Sequence, residues 1–196
     1  MGRDKASLVL AGRTLLQRTL EALDQLPGLE EIVLVIASRQ ELPPVHCDVP
    51  LTVVRDAHEA LGPLPAIAAG LAVVRAPVSL ILGCDTPFVR PALLRMLAER
   101  AHAHAIVMPL HEGRPQPLCS AIRRDALPAV EALLAAGERA PSLLAGDPRA
   151  LRVEWTDWAS ADPEGVSFLG VNTPAELAQA ETVAARLDAQ ERLGRA

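Results

Sequence analysis

Tyrosine is missing from this 196-residue chain, and with two Phe and two Trp the aromatic residues amount to 2%. Nucleic-acid binding by base stacking needs aromatic platforms, so that class of function is set aside. The core has to rest on Leu, Val, Ile and Ala. Cysteine is nearly as scarce. Cys47, Cys84 and Cys119 are odd in number and lack C-x-x-C spacing, which argues against a disulfide scaffold or structural zinc and fits a reducing cytoplasm. No stretch of about 18 apolar residues occurs, and no signal-type apolar block follows the N-terminus. Neither a membrane nor a nucleic acid is an expected partner. A net charge of −5 gives no general attraction to polyanions, so any anion site must be local. The pair His102 and His104 cannot share a helix face at i, i+2 and reads as surface.

Half of the residues are hydrophobic and 22% are charged, a composition of folded globular proteins. Apolar runs of β type alternate with helical patterns, and no linker or repeat interrupts them. Strands are expected at Glu31–Ala37, Leu51–Val54, Val78–Gly83, Ala105–Pro109, Leu118–Ile122 and Leu151–Trp155. Helices are expected at Arg13–Leu26, Ala66–Val74, Pro91–Ala103, Asp125–Ala136, Ala140–Ala145 and from Pro174 to about Arg192. Such alternation predicts βαβ units and a mostly parallel sheet in one domain.

The run Val78-Ser79-Leu80-Ile81-Leu82 ends abruptly in Gly83-Cys84-Asp85-Thr86-Pro87. It reads as a central parallel strand buried on both faces. Ligands of open α/β sheets bind beyond the carboxyl ends of such strands, which places Asp85 where a hard cation or a substrate would meet it. A helix cap near Pro91 or a turn is the other role open to Asp85. Lysine is reduced to one residue, Lys5, against 18 arginines. A compact, flexible ammonium and a planar guanidinium are not interchangeable where phosphate oxygens must be reached. Lys5 is therefore a candidate phosphate ligand, with a stray surface lysine as the alternative.

Several segments follow one another in a familiar order. Met1-Gly2-Arg3-Asp4-Lys5-Ala6 precedes Gly12-Arg13-Thr14-Leu15-Leu16. Gly62-Pro63-Leu64-Pro65-Ala66-Ile67, Cys84-Asp85-Thr86-Pro87-Phe88, Arg114-Pro115-Gln116-Pro117-Leu118 and Phe168-Leu169-Gly170-Val171-Asn172-Thr173-Pro174-Ala175-Glu176-Leu177 come after it. In this order they resemble the molybdenum-cofactor guanylyltransferases of MobA type and their nucleotidyltransferase relatives. The resemblance implies a Rossmann-like three-layer αβα nucleotidyltransferase fold over residues 1–196. It also implies that the first strand and a Gly-rich L-A-G-G-x-S turn lie upstream of Met1. Leu8–Gly12 looks like that turn but carries a single glycine, and aligning it so would strand Asp4 and Lys5 ahead of the motif.

The implied activity is transfer of GMP from GTP to molybdopterin, with Mg²⁺ as cofactor and with cofactor-delivery or acceptor proteins as partners. Lys5 and Asp85 would be catalytic, with Asp85 on the metal. Lys5, Asp56, Asp85 and Asn172 would bind the nucleotide, and Arg114 and Arg139 would grip the pterin's phosphate. Each has a plainer role open to it: a turn for Asp56, a helix cap for Asn172, a solvated surface for the two arginines. Cys84 reads as inert packing. Gly170 and the segment Ile36–Arg39 depart from the family pattern near the base. A cytidylyltransferase acting on molybdopterin or another phosphorylated small molecule therefore stays open, and the Gly-rich turn missing from the motif leaves open a non-catalytic nucleotide-binding remnant.

Overall fold

The computed structural model describes residues 4–56 and 62–194, with side chains as far as residue 190. Met1 to Arg3, part of the motif around Lys5, lie outside the described residues. The chain opens with a 3₁₀ turn, Lys5–Ser7, and a small hairpin of β1 (Val9–Leu10) and β2 (Arg13–Thr14). Helix α1 (Leu15–Asp24) follows, its first turn capped by Thr14 Oγ1, which accepts from Gln17 N at 3.1 Å. Then come β3 (Ile32–Ala37), β4 (Leu51–Asp56), α2 (Pro63–Val73), β5 (Val78–Leu82), α3 (Pro91–Arg100), β6 (Ile106–His111), β7 (Arg114–Pro115) and β8 (Cys119–Arg123). Helix α4 (Leu127–Ala135), β9 (Ala150–Val153), α5 (Trp155–Trp158) and α6 (Pro174–Gly194) complete the order.

Most expected elements are present, with shifted ends. Arg13 and Thr14 pair in the hairpin rather than opening α1. Pro63 at the first helical position starts α2 three residues earlier than expected. The segment near Ala140–Ala145 is a 3₁₀ helix, Pro141–Gly146, and Trp155 begins α5 instead of ending β9.

Strand alternation builds three layers. Leu34, Leu80, Val107 and Ala121 face a core shared with α1 and α3. Their neighbours Val33, Ile81, Ile106 and Ile122 face a second core under α2 and α4. A period of two in the backbone sends successive apolar side chains to opposite faces, which is why these strands read as unbroken apolar runs. A third cluster packs α6 on the N-terminal hairpin, around Leu10, Leu15 and Val171.

Strand β3 pairs in parallel with β4. Strand β5 pairs antiparallel with β8, β8 antiparallel with β6, and β6 parallel with β9. Strands β5, β6 and β9 thus run one way and β8 runs against them. The expectation of a parallel partner for Val78–Leu82 is corrected here. The strand keeps the common direction, but its hydrogen-bonded neighbour among the described residues is antiparallel, because β8 returns from β6 through the β7 turn and inserts between β6 and β5. No hydrogen-bonded ladder joins β3–β4 to the β5–β8–β6–β9 sheet among the described residues.

Leu8–Gly12 leads into the hairpin. Its turn carries φ values of 47° at Ala11 and 79° at Gly12, the two successive positive φ angles of a type I′ turn. Alanine in the left-handed region costs about 1–2 kcal/mol, and Asn adopts it more readily. Replacing Ala11→Asn is expected to stabilise the fold by about 1 kcal/mol, read as a higher urea midpoint at unchanged slope. An unchanged or lower midpoint would contradict the strained turn.

Candidate active site

The common carboxyl rim of the strands gathers the acidic and basic candidates. Strand β5 ends at Leu82, and Gly83 turns the chain outwards. A Cβ on Gly83 would lie 2.6 Å from Asp85 Oδ1, far inside van der Waals contact, so glycine here makes room for the carboxylate. The backbone of the turn is tied on both sides: Gly83 N donates to Leu118 O at 3.0 Å, and Val171 N donates to Asp85 O at 2.8 Å. Thr86 Oγ1 donates to Gly83 O at 3.2 Å. Asp85 does not cap α3, whose N-cap residue, Arg90, makes no side-chain cap bond.

Lys5 reaches the same point from the opposite end of the sequence. Its Nζ lies 3.3 Å from Asp85 Oδ2 and 2.5 Å from Asn172 Oδ1. The helical turn carrying it is fixed by Asp4, whose carboxylate accepts from Ala6 N and Ser7 Oγ. Asp4 Oδ1 also accepts from Gln40 Nε2 at 2.8 Å, and Gln40 Oε1 in turn accepts from Ala37 N at the end of β3. The lysine is thereby anchored to two strand ends.

Asn172 has a competing structural role that the chain gives to another residue. Thr173 Oγ1 accepts from Glu176 N at 3.2 Å, while Glu176 Oε2 accepts from Asn172 N at 2.6 Å and Thr173 N at 2.8 Å. This is a reciprocal capping box on α6, and it leaves the Asn172 amide to face Lys5. Gly170 permits this placement, since a Cβ there would sit 3.0 Å from Asn172 Nδ2.

Two hard oxygen donors, from Asp85 and Asn172, thus converge on one cationic atom. One carboxylate plus a neutral oxygen suits a divalent cation that takes its remaining ligands from phosphates and water. No group of three or more His, Cys, Asp or Glu side chains forms a metal cage among the described residues, so a metal bound here would depend on its substrate. Burial raises the Cys84 thiol to about 11, with the neighbouring Asp85 charge adding to the effect; it is an unreactive neighbour at neutral pH.

The other expected residues lie farther out. Asp56 is buried at the carboxyl end of β4, in register with Ala37. Arg139 donates through Nη1 to Leu134 O and Glu138 O at the end of α4, and its carbonyl would contact a Cβ on Gly62, at the start of α2, at 3.4 Å. Arg114 is exposed on the β6–β7 hairpin. Lys5, Asp85 and Asn172 are brought together; among the described residues no hydrogen bond or ion pair joins Arg114 or Arg139 to them, and Asp56 stands at the end of the neighbouring strand pair. Sequence reasoning overlooked Asp4 and Gln40, and it did not draw the capping box out of Thr173-Pro174-Ala175-Glu176.

The MobA-like NTP transferase domain model matches residues 1–152. The chain belongs to this family. Among similar proteins, "Probable molybdenum cofactor guanylyltransferase" of Chloroflexus aggregans is 30% identical over 187 residues, covering 90% of this chain and 85% of the relative. The protein of the same name from Mycobacterium ulcerans is 36% identical over 183 residues, with the same shares covered. Molybdopterin-guanine dinucleotide biosynthesis protein A from Archaeoglobus fulgidus superposes with a TM-score of 0.74 at 22% identity, over 94% of this chain and 92% of that one. The 2-C-methyl-D-erythritol 4-phosphate cytidylyltransferase of Thermus thermophilus gives 0.68 at 22% identity, over 92% and 93%. These superpositions bear out the three-layer nucleotidyltransferase fold.

Backbone amides of Asn172 and Thr173 hold the Glu176 carboxyl below its ordinary value of 4.5. A depressed acid stabilises the cap fully above that value and loses its effect as pH falls through the lowered one. The amide resonances of Asn172 and Thr173 are expected to titrate together with a midpoint below 4.5, and Glu176→Gln should remove the titration. A midpoint at or above 4.5 would contradict the cap.

Proposed function

We propose that the chain is a nucleotidyltransferase that moves GMP from GTP onto the terminal phosphate of molybdopterin and releases pyrophosphate. The observation that carries this reading is the meeting of Lys5, Asp85 and Asn172 at the sheet rim, in a chain whose family and similar proteins concern nucleotide transfer. In the reaction a phosphate oxygen of the acceptor attacks the α-phosphorus of GTP. A new P–O bond forms while the bond to the bridging oxygen of the β-phosphate breaks, and the electron pair leaves with pyrophosphate. Such transfer needs alignment and charge neutralisation more than covalent help.

Lys5 supplies a mobile ammonium to the phosphate oxygens. Asp85, assisted by the Asn172 amide oxygen, would hold Mg²⁺. When bound, that ion supplies charge neutralisation at the phosphates. Asp56, on the same rim, is assigned to the guanine nucleotide, and Arg114 and Arg139 to the acceptor's phosphate. Cofactor-delivery or acceptor proteins are the partners this activity calls for.

Magnitudes separate catalytic from structural roles for the pair. The Lys5 and Asp85 side chains are 43% and 25% exposed, and an ion pair so open to solvent contributes roughly 0–1 kcal/mol to stability. Removing a preorganised charge from a transfer site costs roughly 100-fold or more in rate. Lys5→Ala and Asp85→Ala are each expected to lower turnover of GTP with molybdopterin at least about 100-fold while the circular dichroism spectrum stays unchanged. Near-normal turnover in either variant would remove that residue from the chemistry. Assaying all four NTPs tests the base: turnover with CTP and none with GTP would move the assignment to a cytidylyltransferase.

A further inference from the structure

The few Phe and Trp residues of the chain are not scattered. Trp155, Trp158 and Phe168 gather around His111 at the carboxyl end of β6. The imidazole stacks on Phe168, with 4.9 Å between ring centres and 24° between planes, and it meets Trp158 at 5.9 Å. Gly165 makes room for it, since a Cβ there would lie 3.2 Å from His111 Cε1. Trp158 is fully buried and donates through Nε1 to Leu110 O at 3.1 Å. Trp155 packs on Trp158 at 4.5 Å and nearly at right angles, yet it is 47% exposed. The transfer chemistry leaves this nest unused.

Register places the nest next to the Asp85 turn. Val107 of β6 and Leu80 of β5 both stand opposite Ala121 of β8. Four residues further along these two strands, His111 is level with Cys84, two strand spacings or roughly 10 Å away. Val153 of β9 stands opposite Pro109, so Trp155 is level with His111 on its other side. Asp85, His111 and Trp155 thus follow one another along the carboxyl rim. Arg114 joins them, since it pairs with His111 across the hairpin closed by Glu112 and Gly113. Directly opposed residues of an antiparallel pair project from one face with Cβ atoms roughly 5 Å apart. Among the described residues, neither the ring nitrogens of His111 nor the guanidinium of Arg114 have a hydrogen-bond or ion-pair partner. The acids on the segments packed against the nest are engaged elsewhere. Asp162 accepts from Val166 N and Ser167 N, Glu164 pairs with Arg186, and Glu154 and Asp157 cap α5.

We propose that this stretch of rim binds the acceptor, with His111 and Arg114 on its phosphate monoester and Trp155 against its planar ring. The assignment rests on the transferase reading and adds His111 and Trp155 to it. Two neighbouring N–H donors with no carboxylate between them suit a phosphate, whose oxygens accept from both at once. A half-exposed indole braced by a second indole offers a rigid apolar surface to a flat heterocycle. The order along the rim sets the acceptor's direction. Its phosphate end points towards Asp85 and the nucleotide, and its ring points away from them.

The probe is 4-methylumbelliferyl phosphate, a flat bicyclic phosphate monoester, added to the ¹⁵N-labelled chain without nucleotide. The indole resonance of Trp155 and the ring resonances of His111 are expected to shift on binding. His111→Phe, which keeps the ring packing, and Arg114→Gln should each weaken the probe at least about 10-fold, the weight of one charge-assisted hydrogen bond. Trp155→Ala should weaken it about 10-fold as well. That variant should bind inorganic phosphate as the unaltered chain does, which also shows that it is folded. Absence of a shift at both rings overturns the proposal, and so do shifts centred on Lys5 and Asp85 instead. Probe binding left at full strength by both His111→Phe and Trp155→Ala overturns it too. Turnover of GTP with molybdopterin, measured alongside, separates the two readings. Turnover with no probe binding at His111 removes the acceptor subsite alone. The expected losses in a chain that transfers no nucleotide support the planar-phosphate site and remove the transferase.

Discussion

The contact of the Lys5 ammonium with Asp85 and Asn172 joins three segments that are remote in sequence, and the rim of the sheet is arranged around it. Each segment arrives by a different device. Lys5 sits on a single 3₁₀ turn capped by Asp4. Asp85 stands on a glycine turn at the end of β5, with its carbonyl pinned by Val171 N. Asn172 precedes a capping box that holds the start of α6. Carboxyl strand ends and a helix start meet here because an open α/β sheet leaves its ligand crevice at that edge.

An ammonium lodged between two oxygen donors is a modest stabiliser when exposed to solvent. On the proposed function, its value lies in keeping charge poised for phosphate oxygens. Phosphate oxygens carrying a divalent ion could take the place of the ammonium between Asp85 and Asn172, while the flexible lysine stem follows the phosphates. Burial raises the Cys84 thiol to about 11 and the Cys119 thiol to about 12, so both are protonated at neutral pH.

The layered fold was legible because every central strand reads as an apolar run, and the cores divide them residue by residue into two faces. Lys5 stood out by scarcity and Asp85 by its place after an apolar run. Pairing could not be read: that β8 lies antiparallel between β5 and β6 depends on how the β7 turn folds back, which composition does not encode. The Asp4–Gln40 link was equally hidden, because it joins residues 36 positions apart through side chains common on any surface. For Asn172, function and capping were both open in the sequence. Glu176, three residues after Thr173, is the signal that assigns the cap to Thr173.

The most direct test of the central arrangement is the paramagnetic effect of Mn²⁺, a magnesium surrogate, on the ¹⁵N-labelled chain in the presence of GTP. Broadening is expected to centre on Lys5, Asp85 and Asn172 and to require the nucleotide. Broadening centred elsewhere, or equally strong with Mn²⁺ alone, would contradict a nucleotide-borne metal at this rim.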